Sequence, residues 1–145
     1  MSDNAPSVFS RIIAGELPGR FVWRDDDVVA FLTIAPINPG HVLVVPVAEV
    51  DLWTDVAPST WARMAEVQAI IGRALLAAFD QRRVGVIIAG LEVPHCHVHL
   101  IPIDDEADLS FARADAHATP EALDAAADRI RSALRADGHD AHVAG

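Results

Sequence analysis

Pro94-His95-Cys96-His97-Val98-His99-Leu100-Ile101-Pro102 sets a histidine at every second position of an otherwise apolar run. A period of two belongs to a strand, in which side chains at i, i+2 and i+4 share a face. The extended reading puts His95, His97 and His99 on one side and Cys96, Val98 and Leu100 on the other, so imidazoles line one face while the opposite face belongs to a core. Rings in such a setting cost desolvation unless something satisfies them, which points to chemistry rather than accident. A metal shared by all three fits poorly. At a rise of ~3.3 Å per residue the outer alpha carbons lie roughly 13 Å apart, against zinc–nitrogen bonds of about 2 Å. A metalloenzyme built on two neighbouring rings stays open as an alternative. The other reading is nucleophilic catalysis, because a neutral imidazole, with an ordinary pKa of about 6.5, attacks at pH 7 without a separate base.

Working outward, Val84 to Ala89 reads as a strand, and the short link Gly90-Leu91-Glu92-Val93 makes it an antiparallel neighbour of the histidine strand, which then lies inside the sheet. Phe21 to Ile34 divides into two strands around a hairpin turn at Asp25-Asp26-Asp27, because aspartate favours turns. Pro36, Pro39 and Gly40 impose an ordered turn before the apolar strand His41-Val42-Leu43-Val44-Val45. Trp61, Met64, Ala65, Gln68, Ile71, Leu75 and Leu76 recur at helical spacing after the start signal Ala57-Pro58-Ser59-Thr60, giving a long helix that covers one sheet face. A short helix is predicted from Pro6 to Ala14 with Ser7 as N-cap. A further one follows Thr119-Pro120-Glu121 as far as Ala136, within residues 119–137. The expected architecture is one α+β domain over residues 1–145, with a mainly antiparallel sheet of about five strands, the long covering helix, and a short helix at one end and an extra one at the other.

The chain has 145 residues, 52% of them apolar, which is enough for a substantial core. Its formal charge is −10 and it contains no lysine, which argues against gripping nucleic-acid polymers by phosphate neutralisation. Apolar runs are strand-sized, too short to span a bilayer, and Met1 to Pro6 lacks the basic and apolar regions of a signal peptide, so a cytoplasmic protein is expected. The single cysteine, Cys96, cannot close an internal disulfide and is turned from the histidines, packing as a small apolar residue; a nucleophilic thiol is the alternative. His117, His139 and His142 read most simply as solvent-exposed.

His95-Cys96-His97-Val98-His99-Leu100-Ile101 resembles the His-x-His-x-His-x-x signature, with x apolar, of the histidine triad (HIT) family of nucleotide hydrolases and transferases. Ala30 to Pro46 is similar to the family's substrate-pocket strands and their turn. The two motifs stand in the family's order and at roughly its spacing, and the resemblance covers about residues 6–111. It implies a HIT-like fold, pairing of two subunits into a continuous sheet, and reaction at the alpha-phosphate of a small nucleotide conjugate with no cofactor. His97 is the implied nucleophile, forming a nucleotidyl-histidine. His99 is implied to contact phosphate oxygens or the leaving group, and His95 and His41 to fix the nucleophile's ring. Phe9, Ile12, Phe31, Leu32 and Ile34 are candidates for a base pocket.

Thr33 stands where the family usually places Asp or Asn against the ribose, and Ala89 near where an asparagine often touches phosphate. A nucleotide-binding module with little turnover is therefore a further alternative. Many members open with Cys-x-x-Cys, which helps hold a structural zinc. Here those positions are Ser7 and Ser10, and Glu49 replaces a further ligand histidine, so no metal is expected.

Overall fold

A computed structural model describes residues 5–144. Its five strands are β1 (Phe21–Arg24), β2 (Val28–Leu32), β3 (Val42–Pro46), β4 (Arg83–Ile87) and β5 (Val98–Ile103), and they form one antiparallel sheet in the order β1-β2-β3-β5-β4. The helices are α1 (Val8–Ile13), α2 (Pro58–Ala78) and α3 (Pro120–Ala136). The α+β architecture read from the sequence is thus the observed one, and β5 is an interior strand. Regular pairing in β5 begins only at Val98, so His95 and His97 sit on the segment that leads into the strand.

The two sheet faces carry different cores because neighbouring strand residues point oppositely. Val28, Ala30, Leu32, Val42, Val44, Val98 and Leu100 face α2, where they meet Met64, Val67, Ile71 and Leu75. α3 extends that layer with Ala126, Ala127, Ile130 and Leu134, which gives the carboxy-terminal helix its packing role. On the other face Val29, Phe31, Leu43 and Val45 are covered by Phe9 of α1. Farther along that face Ile37, Ile101 and Ile103 are covered by the segment that follows β5. Cys96 is buried in the α2-side core, and burial pushes its thiol up to about 11, as its role in packing requires.

The aspartate triplet is indeed a turn, with Asp25 Oδ1 accepting the Asp27 and Val28 N–H groups at 2.8 Å. Asp25 does more than turn the chain, because its other oxygen accepts from Trp23 Nε1 at 2.9 Å and Arg63 Nε at 3.0 Å, tying β1 to α2. His117 is exposed as expected, whereas the expectation of free histidines at the end of the chain is corrected. His139 and His142 are half-buried against Trp23, with ring centroids 5.8 and 4.8 Å away. An aromatic surface left open by β1 is better covered by imidazole than by water.

Candidate active site

Leu43 of β3 lies opposite His99 of β5, which places the imidazole face on the α1 side of the sheet. The rings of His97 and His99 are neighbours, with centroids 5.0 Å apart, and Phe9 packs edge-on to His97 at 4.9 Å. Phe111, on the segment after β5, packs on His99 at 4.9 Å. A cleft of about 90 Å³ opens over these two histidines and is bounded by Ala89 to Glu92 and Phe111.

The hydrogen bonds assign the tautomers. His97 Nδ1 lies 2.8 Å from the His95 carbonyl, which can only accept, so Nδ1 carries the proton and Nε2 keeps its lone pair. His41 Nδ1 accepts the Ile37 N–H at 3.0 Å, so the His41 proton is on Nε2 and is donated to His99 Nδ1 at 2.9 Å. His99 therefore holds its own proton on Nε2. The result is one acceptor and one donor side by side, fixed by groups on three separate segments.

This arrangement corrects the roles expected for the flanking histidines. His41 orients His99 rather than His97, and it is the backbone carbonyl of His95, not its ring, that orients His97. The His95 ring is fully buried, donating from Nε2 to the Pro46 carbonyl at 2.7 Å and accepting at Nδ1 from the Ser7 hydroxyl at 2.7 Å.

Burial, reinforced by the neighbouring imidazole, pushes His41 down to about 3 and His99 to about 4, and burial also lowers His95. All three stay neutral at pH 7. Below about 6.5 the unfolded chain takes up protons that the folded one refuses, so stability is complete above that pH and declines as pH falls toward the folded values. The expected slope is up to about 1.4 kcal/mol per pH unit for each such histidine. Urea midpoints at pH 7 and pH 5 measure it, and equal midpoints would contradict neutral buried rings.

The candidate pocket residues divide. Phe9, Ile12 and Phe31 form one cluster beside His97, and Ala89 lines the cleft. Leu32 is the exception among the strand candidates and is corrected: one position after Phe31, it points to the α2 side and borders a different cavity of about 330 Å³ near Leu123. Ile34 is 76% exposed beyond the end of β2. Thr33 is half-buried, and its hydroxyl accepts the Ala35 N–H at 3.2 Å, shaping the turn after β2. Phe111 and Leu91 were not legible as cleft residues, since neither belongs to a motif and only the folding of two loops brings them to the histidines.

The positions where the resemblance implies zinc ligands do converge, but on one another. Ser10 Oγ donates to Glu49 Oε1 at 2.7 Å, the Ser7 N–H donates to the same oxygen at 2.6 Å, and the Ser7 hydroxyl closes on His95 Nδ1 at 2.7 Å. Ligands of a tetrahedral zinc stand roughly 3.3 Å apart, and neutral hydroxyls are poor donors to it. This set does not fit the metal.

A model of the HIT domain matches residues 14–106. The chain is 31% identical over 105 residues to the purine nucleoside phosphoramidase of Escherichia coli, spanning 66% of this chain and 85% of that protein. It is 28% identical over 133 residues to an adenylylsulfatase of Arabidopsis thaliana, spanning 88% and 67%. A crystal structure of a HIT-like protein involved in cell-cycle regulation from Bartonella henselae matches with a TM-score of 0.78 at 30% identity, covering 92% of this chain and 99% of that one. With the domain match extending over most of the chain and the histidines paired as described, this protein belongs to the HIT domain family.

Proposed function

We propose that the protein hydrolyses or transfers nucleotides at the alpha-phosphate of a small conjugate, such as a phosphoramidate, an adenylylated compound or a dinucleoside polyphosphate, through a covalent nucleotidyl-histidine on His97. The observation that carries this reading is the 2.8 Å bond from His97 Nδ1 to the His95 carbonyl, which leaves the Nε2 lone pair of a ring bordering the cleft. The phosphoramidase and adenylylsulfatase relatives act on conjugates of the same general kind.

In the first step a bond forms from His97 Nε2 to phosphorus as the bond to the leaving group breaks; the leaving group departs with its electron pair and takes a proton from solvent. The His95 carbonyl holds the Nδ1 proton of the resulting imidazolium, and the His99 Nε2–H donates to a phosphate oxygen or to the departing atom. Water or another acceptor then attacks phosphorus and gives up its proton to solvent, the N–P bond breaks, and its electrons return to Nε2 as the lone pair of the neutral ring. Phe9, Ile12 and Phe31 offer an apolar wall for the base. Thr33, whose hydroxyl accepts the Ala35 N–H, stands where the resemblance implies a carboxylate or amide contact to the ribose, so that grip is altered here.

By resemblance, the active form is a homodimer with the sheet continued across two subunits; the open edge of β4, where Val86 is 52% exposed, offers such a seam. A cytoplasmic setting fits a lone cysteine held in a core. None of the helices among the described residues is long and apolar enough to cross a membrane.

The test is a rapid acid-free quench of the wild-type protein with conjugates labelled at the alpha-phosphate, followed by peptide mapping. Label on His97 supports the reading. Tight nucleotide binding with no covalent label would favour a binding module instead.

A further inference from the structure

Glu49 lies outside the cleft and is absent from the chemistry above, yet it ends a chain of hydrogen bonds that begins at the nucleophile. The carbonyl that fixes His97 belongs to His95, whose own N–H donates to Val93 at 2.8 Å, while the next N–H, that of Cys96, donates to Val50 at 2.7 Å. The His95 ring is pinned at both nitrogens, by Pro46 at the end of β3 and by Ser7. Ser7 is the N-cap of α1 and takes the Ser10 N–H at 3.0 Å on the oxygen whose proton it gives to His95. One oxygen of Glu49 receives both the Ser7 N–H and the Ser10 hydroxyl. These bonds hold the Glu49 carboxyl below its ordinary range, so it is a full acceptor at neutral pH.

α1 has six residues, too few to hold a helix by itself. Its place on the sheet is therefore set by this clasp and by the packing of Phe9, Ile12 and Ile13, and Phe9 in turn packs on both His97 and His95. Loosening the carboxylate would let the helix, the His95 ring and the carbonyl on which His97 depends move together.

We propose that Glu49 and Ser7 are positioning residues for His97, forming a metal-independent clasp between α1 and the histidine segment that sets the tautomer and direction of the nucleophile. This rests on the reading of His97 as nucleophile, but its first test needs no substrate. Nitrogen-15 spectra of wild type and Glu49→Ala report which nitrogen of His97 carries the proton.

Wild type is expected to show the Nδ1–H form alone, and Glu49→Ala a mixture with Nε2–H. The rate of nucleotidyl transfer should drop by on the order of tenfold to a hundredfold, as a misaligned attack geometry entails. Glu49→Gln keeps an oxygen for both donors and should recover most of the loss. Should Glu49→Ala fail to fold, Ser10→Ala, which removes only one donor, takes its place with a smaller shift in the same direction.

A single Nδ1–H form in the folded alanine variant would overturn the proposal. So would a stoichiometric metal whose removal by chelator reproduces the alanine spectrum. Tautomer mixing in the variant, together with no covalent label on His97 in wild type, would sink the nucleotidyl-histidine and leave the clasp standing.

Discussion

His97→Ala is expected to lose nucleotidyl transfer by a factor on the order of 10⁴ or more while keeping its fold, because under the proposed mechanism the substitution removes the atom that bonds to phosphorus rather than a contact that steadies it. No other group can take over. His99 holds its proton on the nitrogen not engaged by His41, so it is a donor there, and both His95 nitrogens are already engaged by Pro46 and Ser7. Turnover of a panel of conjugates, with circular dichroism as the control for folding, measures the effect. Equal turnover by the variant and the wild type would remove His97 from the mechanism. The companion His99→Ala should show a smaller loss, since under the same proposal it removes charge stabilisation while leaving the nucleophile in place.

Gly40→Ala is the second change with a large expected effect, this time on stability. Gly40 has φ +91°, in the left-handed region that L side chains rarely adopt, and an added Cβ would stand 2.6 Å from Phe79 Cε2 and 2.9 Å from Cδ2. Phe79 is buried at the end of α2 and its ring cannot swing aside without disturbing the α2-side core. Backbone strain and overpacking together should cost about 2–4 kcal/mol, a fall in Tm of roughly 5–15 °C for a chain of this size. Gly15→Ala is the matched comparison, since Gly15 has φ +82° and an added Cβ there meets nothing within 4 Å. If both variants melt together, contact with Phe79 is not what demands glycine at position 40. Because His41 follows directly, the Gly40 variant should also weaken the His41–His99 bond.

The strands and helices were legible because each reports a local period. The alternation in β5, the apolar run of β3 and the helical recurrence in α2 needed no knowledge of partners. The same alternation sets Phe31 and Leu32 on opposite faces of β2, so the two do not line one pocket. Even the replacement of zinc ligands by Ser7, Ser10 and Glu49 was visible as residue types. Their mutual hydrogen bonds were not, because Ser7 and His95 are 88 positions apart.

By itself, the order of residues gave the expectation that three imidazoles share a face and that Cys96 does not join them, because alternation in an extended chain turns neighbours to opposite sides. Tertiary structure alone decided which ring partners which. The antiparallel register that sets Leu43 opposite His99 brings His41 to that ring, and α1 docks Ser7 on His95, so the protons settle with Nε2 of His97 as the acceptor and Nε2 of His99 as the donor. Tautomers follow hydrogen-bond partners, and partners that lie far apart along the chain exist only once it has folded.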